Sequence, residues 1–140
     1  MIKRVSHIAV VVEEIEQALG VFRDALGLQP SHTETIAEQD VRVAFLRVGE
    51  SQIELVEPIG TESGVARFLA TRGEGTHHIC LEVDDIDAAL ADLKGKGVRL
   101  IDRAPVAGAR GRVAFVHPKS THGVLIELWE PDREDPVDTP

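Results

Sequence analysis

Two short stretches place a carboxylate in the middle of an apolar strand. Ile53-Glu54-Leu55-Val56-Glu57-Pro58 returns as Ile126-Glu127-Leu128-Trp129-Glu130-Pro131, 73 residues later. A carboxylate in such a place is costly to bury unless it is paired or binds a metal. A second pair of chemistry-bearing residues follows the same repeat. Ser6-His7-Ile8-Ala9-Val10 is echoed by His77-His78-Ile79-Cys80-Leu81, with His78 falling on His7 at an offset of 71. Side chains alternate across a strand. His7 therefore shares a face with Ala9 and Val11, and His78 with Cys80 and Glu82. Glu54 shares a face with Gln52 and Val56, and Glu127 with Leu125 and Trp129. If helices cover the all-apolar faces, the opposite face collects His7, Glu54, His78 and Glu127. Two imidazoles and two carboxylates suit a divalent ion such as Co, Mn, Ni, Fe or Zn, and the sequence does not select among them. Four protein ligands in an octahedral sphere leave two positions for substrate oxygens, which a Lewis-acid catalyst of enolisation requires.

Plainer readings exist for each residue alone. A single inward histidine is more often a satisfied core residue, and a buried glutamate is usually paired with a cation. The coincidence decides for the metal: two residue types occupy two repeat-equivalent places, and strand parity turns all four inward. On the same face, Cys80 reads as a small core residue rather than a ligand. Glu82 reads as a charge near a strand end, and His32, His117 and His122 as surface residues.

The elements that must hold these residues follow from the spacing of apolar positions. Ile15, Ala18, Leu19, Phe22 and Leu26 make one helical stripe, and Ile86, Ala89, Leu90 and Leu93 make its echo. Acids precede each helix, Glu13-Glu14 and Asp84-Asp85, where they meet free N–H groups and the positive dipole end. Gly27 and Gly97 end the two helices. Strands are expected over 29–36, 41–48 and 52–57 in the first half, and over 99–103, 112–117 and 124–129 in the second. Each half thus reads β-α-β-β-β. Ser63 caps a short helix between them, over 64–71. Two such modules can cover each other's open faces or join in a continuous curved sheet with a concave interior.

Composition narrows the classes of function. At 140 residues the chain has length for one domain with a real core. No apolar run reaches the roughly 20 residues that span a bilayer. The net charge of −9 argues against nucleic acid as a general partner. One cysteine, Cys80, permits no intrachain disulfide and fits a reducing compartment. Met1-Ile2-Lys3-Arg4-Val5 enters a strand with no signal-peptide pattern, so the expected location is cytoplasmic. Residues 132–140 read as an acidic, flexible tail.

The pattern resembles the vicinal oxygen chelate superfamily, the glyoxalase/bleomycin-resistance fold, over about residues 3–131. Within it the chain is most similar to the methylmalonyl-CoA epimerase family. Four stretches carry the likeness: Val5-Ser6-His7-Ile8-Ala9-Val10; Val43–Gly49 running into Ile53–Pro58; Gly75-Thr76-His77-His78-Ile79-Cys80-Leu81-Glu82-Val83; and Val116-His117-Pro118-Lys119 followed by Gly123–Leu128. The resemblance implies an α+β fold, two tandem βαβββ modules forming a curved mixed sheet around a concave metal site. It implies one domain over 1–131, with modules at about 3–58 and 75–131 and a linker helix at about 63–71. The family's metal ligands fall on His7, Glu54, His78 and Glu127. Some members carry Gln at the place of Glu54, and some place a catalytic Glu where this chain has Val43.

The implied reaction inverts the α-carbon of a methylmalonyl thioester through an enolate. One carboxylate removes the proton and an acid on the opposite face returns it. Glu127 is the first choice for one role, and Glu54 is its counterpart by the repeat. The phosphates of an acyl-CoA substrate would be received by Lys119 and by Arg110 or Arg112. A homodimer is also implied. Two rivals share the fold: a glyoxalase I-type lactoylglutathione lyase, and a metal-free, bleomycin-resistance-like binding protein. The first usually reads Asp-Pro-Asp-Gly before its last strand, where this chain has His117-Pro118-Lys119-Ser120-Thr121-His122-Gly123. The second is opposed by the presence of all four candidate ligands.

Overall fold

The computed structural model describes residues 1–108 and 110–132 of the chain, so most of the expected tail lies outside the described residues. The elements run β1 (Ile2–Val11), α1 (Ile15–Leu19), β2 (Gln29–Ile36), β3 (Val41–Val48), β4 (Ser51–Pro58), α2 (Gly64–Arg72), β5 (Gly75–Val83), α3 (Ile86–Gly95), β6 (Val106–Gly108), β7 (Gly111–Val116) and β8 (Ile126–Pro131). The class is α+β, and each half has the expected β-α-β-β-β order. The chain forms two compact units, one of Ser6–His78 and one of Met1–Val5 with Ile79 onward.

In the first unit the strands lie in the order β2-β3-β4-β1. β1 and β4 are parallel, with Ala9 opposite Glu54, and β3 runs antiparallel to both of its neighbours. One face is covered by α1: Ile15 and Leu19 pack on Val12, Ala44, Leu46 and Leu55. The other face carries a second apolar cluster of Ala9, Val41, Val43, Phe45 and Val56, with Val65 of α2 against it. Ser63 caps α2 as expected, its Oγ accepting the Ala66 N–H at 3.0 Å.

The first helix departs from the expected single stripe. After Leu19 it widens into a π-helical turn over Gly20–Ala25. The wider turn advances each residue through a smaller angle, so the stripe drifts. Phe22 still packs against the core, but Leu26 is rotated away and is 63% exposed.

In the second unit the strands lie in the order β5-β8-β7-β6. β5 and β8 are parallel, with Cys80 opposite Glu127. α3 covers one face, where Ile86 and Leu90 pack on Val83, Ala114, Val116 and Leu128. Asp85 caps α3, its carboxylate accepting the Ala88 N–H at 3.0 Å.

The strand expected over 99–103 is replaced by a single bridge, Leu100 to Val116. The ladder begins properly, with the Ile101 N–H donating to the Phe115 carbonyl at 2.9 Å. The reciprocal bond is lost because the Phe115 N–H donates instead to the Asp102 carboxylate at 2.8 Å. A short acidic side chain thus competes with the backbone and stops the strand. The edge strand forms later, at β6.

Candidate metal and acid–base site

Three of the four expected ligands converge within the first unit. His7 stands on β1, Glu54 on β4 and His78 on β5. The His7 Nε2 and His78 Nε2 atoms face one another at 3.2 Å. On the other side of its ring, His7 Nδ1 meets a Glu54 carboxylate oxygen at 3.1 Å. Both His7 and Glu54 are 16% exposed, shielded from bulk water without being sealed from it. His78 Nδ1 lies 2.9 Å from Nδ1 of His77, whose ring also stands edge-on to Phe68. Strand parity alone would have turned His77 wholly away from its neighbour; the two rings are instead 5.2 Å apart.

The two facing imidazole nitrogens have a spacing that suits a divalent ion. Two nitrogens bound cis at bond lengths of about 2.1 Å are about 3.0 Å apart, close to the 3.2 Å between the two imidazoles. A carboxylate at Nδ1 favours the proton there and leaves Nε2 as a lone-pair donor. Glu54 therefore touches His7 at the nitrogen that faces away from His78.

Glu127 belongs to the second unit. It is in register with Cys80 on one side and Phe115 on the other. The Cys80 Sγ and a Glu127 carboxylate oxygen lie within 4.8 Å of each other. Cys80 is also 1% exposed. Glu82 pairs with Arg4 at 2.9 Å. Val43 is buried among Val41, Phe45 and Val56, so that place offers packing and no proton.

Lys119 and Arg110, the expected phosphate contacts, are exposed positions of the second unit. The Lys119 N–H donates to His117 Nδ1 at 3.1 Å. Burial first, then the Arg99 and Lys119 charges, hold the His117 pKa below its ordinary value. The Arg110 carbonyl accepts the Trp129 indole N–H at 3.3 Å. Arg112, the other arginine considered, is engaged elsewhere, binding Glu130 and Asp87 through carboxylate oxygens at 3.0 and 2.9 Å.

The second glutamates of the repeated strands have a role the sequence reading left unassigned. Glu57 accepts the Ile15 N–H at 2.9 Å, and Glu130 accepts the Ile86 N–H at 3.1 Å. Each is also held by an arginine of the preceding strand, Arg42 at 3.5 Å and Arg112 at 3.0 Å. The signal was present in the spacing. Glu57 is three residues after Glu54, so parity sends it to the helix face.

Comparisons with known proteins give the family. The family model for the glyoxalase/bleomycin resistance protein/dioxygenase superfamily matches residues 6–116. The chain belongs to that superfamily. Among the relatives of this glyoxalase-superfamily chain is the mitochondrial methylmalonyl-CoA epimerase of Mus musculus, 42% identical over 89% of this chain and 71% of its own length. The ethylmalonyl-CoA/methylmalonyl-CoA epimerase of Cereibacter sphaeroides is 39% identical over 91% of this chain and 98% of its own. A solved methylmalonyl-CoA epimerase in complex with methylmalonyl-CoA and NH4+ superposes with a TM-score of 0.84, at 37% identity over 95% of this chain and 97% of that one.

Proposed function

We propose that this chain is a divalent-metal-dependent epimerase that inverts the α-carbon of methylmalonyl-CoA. The observation that carries the reading is the meeting of the His7 and His78 Nε2 atoms beside Glu54. It occurs in a chain 37% identical to an epimerase solved with methylmalonyl-CoA. His7, His78 and Glu127 are the residues that would hold the ion, with Glu54 orienting His7 through Nδ1. When bound, such an ion supplies Lewis-acid stabilisation of the negative charge that develops on the thioester oxygen.

The remaining chemistry falls to the chain's own carboxylates. The α-proton lies beside the thioester carbonyl, and a positioned glutamate would remove it as the charge developing on that oxygen is stabilised. Inversion needs a second acid on the opposite face of the planar enolate. Glu127 takes one of these roles and Glu54 the other, and the repeat in which they stand at equivalent places supports the pairing. Lys119 and Arg110 receive the phosphates of CoA. The two modules act as one domain over residues 1–131, and the enzyme works as a homodimer in the cytoplasm. Among the described residues no helix is long and apolar enough to cross a membrane.

Deuterium wash-in from solvent at the α-carbon of methylmalonyl-CoA is the direct test, set beside turnover of methylglyoxal with glutathione. Wash-in without lyase turnover supports the epimerase; the reverse supports the lyase. Metal analysis of the purified protein separates both enzymes from a metal-free binding protein. Glu127→Gln should abolish epimerisation, and near-normal epimerisation by this variant with its metal retained would remove Glu127 from the mechanism.

A further inference from the structure

Strand β2 contains an irregularity that changes the direction of His32. Pro30 stands opposite Leu46 of β3, but His32 stands opposite Phe45, so Ser31 is an extra residue in the ladder. In a regular strand His32 would face Ala44, on the side that packs against α1. The bulge turns it to the other face, where Phe45 and Glu54 point. Bulges re-aim side chains in this way and recur next to active sites.

The re-aimed ring is fixed by short contacts. The Ser31 hydroxyl donates to the Phe45 carbonyl at 3.3 Å and lies 3.2 Å from His32 Nδ1. The imidazole stacks on Phe45 with ring centroids 4.6 Å apart and planes at 18°. Phe45 is the register partner of Glu54, and such partners have Cβ atoms about 5 Å apart. A row His32–Phe45–Glu54 thus crosses three strands, with the proposed acid–base carboxylate at its inner end. Phe45 is 7% exposed and packed among Ala9, Val41, Val43 and Val56, so it has no room to retreat into the core. His32 stacks over one side of this ring.

We propose that Phe45 limits the size of the 2-alkyl group on the substrate, and that His32 is a positioning residue that clamps the Phe45 ring. The proposal rests on the epimerase reading. A carbon that exchanges its proton with Glu54 must lie within hydrogen-bond reach of that carboxylate. Glu54 has two register neighbours on this face, Ala9 and Phe45, and of the two only the Phe45 ring is bulky enough to limit an alkyl group on that carbon. One added methylene rejected by a packed wall is worth roughly tenfold or more in kcat/KM.

The test is the ratio of kcat/KM for ethylmalonyl-CoA to that for methylmalonyl-CoA, in the unsubstituted enzyme and in His32→Ala, His32→Phe and Phe45→Leu. Phe45→Leu and His32→Ala should each raise the ratio roughly tenfold, while His32→Phe, which keeps a flat ring over Phe45, should hold it within about twofold of the original. His32 is 42% exposed, so its variants fold even if Phe45→Leu does not. An unchanged ratio in His32→Ala, with methylmalonyl-CoA still turned over, overturns the clamp. An unchanged ratio in folded Phe45→Leu overturns the size limit. Absence of epimerisation by the unsubstituted enzyme is a different outcome: it overturns the functional reading, and the proposal with it.

Discussion

His7 is the residue in which the site's logic is most concentrated, because its two ring nitrogens do different work. Nδ1 meets Glu54 at 3.1 Å and Nε2 meets His78 at 3.2 Å. A ligand histidine oriented by a carboxylate loses typically 10- to 100-fold in metal affinity when that carboxylate is removed. Glu54→Ala is therefore expected to release metal at least that much more readily, measured by competition with a chromogenic chelator. His117 makes a second prediction at this scale. Its Nδ1 already accepts the Lys119 N–H, and burial together with Arg99 and Lys119 disfavours its cationic form. Its pKa in the folded protein lies below the ordinary 6.5. As pH falls below that value the unfolded chain takes up the proton first, so this residue's share of stability is present above it and declines below it. An NMR titration of His117 should give a midpoint under the ordinary value, and His117→Asn should flatten the acid side of the stability profile. Strand parity made His7, His78 and Glu54 legible from sequence, because each sits in a regular strand. His32 is exposed, as its reading as a surface residue expects, but parity does not give its face, because one extra residue at Ser31 inverts the alternation along β2.

At the scale of the element, the two modules show the same device executed with different parts. α3 has a side-chain cap: Asp85 accepts the Ala88 N–H. α1 has none from Glu14, although an acid stands in the matching place. Both helices receive a carboxylate from the sheet instead, Glu57 on Ile15 and Glu130 on Ile86. Arg42 links Glu57 to Glu16, as Arg112 links Glu130 to Asp87. Asp85→Ala should cost about 1 kcal/mol in urea denaturation, whereas Glu14→Ala should lie within about 0.5 kcal/mol of the parent. Strands 29–36 and 41–48 lie where the sequence places them, after the helix-ending Gly27 and before the turn at Gly49-Glu50-Ser51. The segment 99–103 was misread because its pattern is strand-like and the interruption is a tertiary hydrogen bond, Asp102 to Phe115 N–H. The π-helical turn was invisible for a related reason: Leu26 fits a 3.6-residue stripe that the backbone does not keep.

At the scale of the whole molecule, a net charge of −9 opposes an anionic substrate such as an acyl-CoA. Long-range repulsion slows encounter, and salt relieves it within a screening length of about 8–10 Å. A short-range contact to a phosphate behaves in the opposite sense, because salt weakens it. Lys119 and Arg110, both exposed, are the proposed contacts. A lysine–phosphate contact at an exposed site is worth about 1 kcal/mol, or roughly fivefold in affinity. Lys119→Ala should therefore raise KM for methylmalonyl-CoA by roughly fivefold while leaving kcat within about twofold, since the contact is far from the bond that breaks and holds ground and transition states alike. The salt dependence separates this from a general charge effect. The parent's KM should rise between low and moderate ionic strength, and that rise should shrink in Lys119→Ala, where one of the screened contacts is already gone. A variant whose KM keeps the parent's full salt response, with no fivefold offset, would place the CoA phosphates elsewhere on the surface.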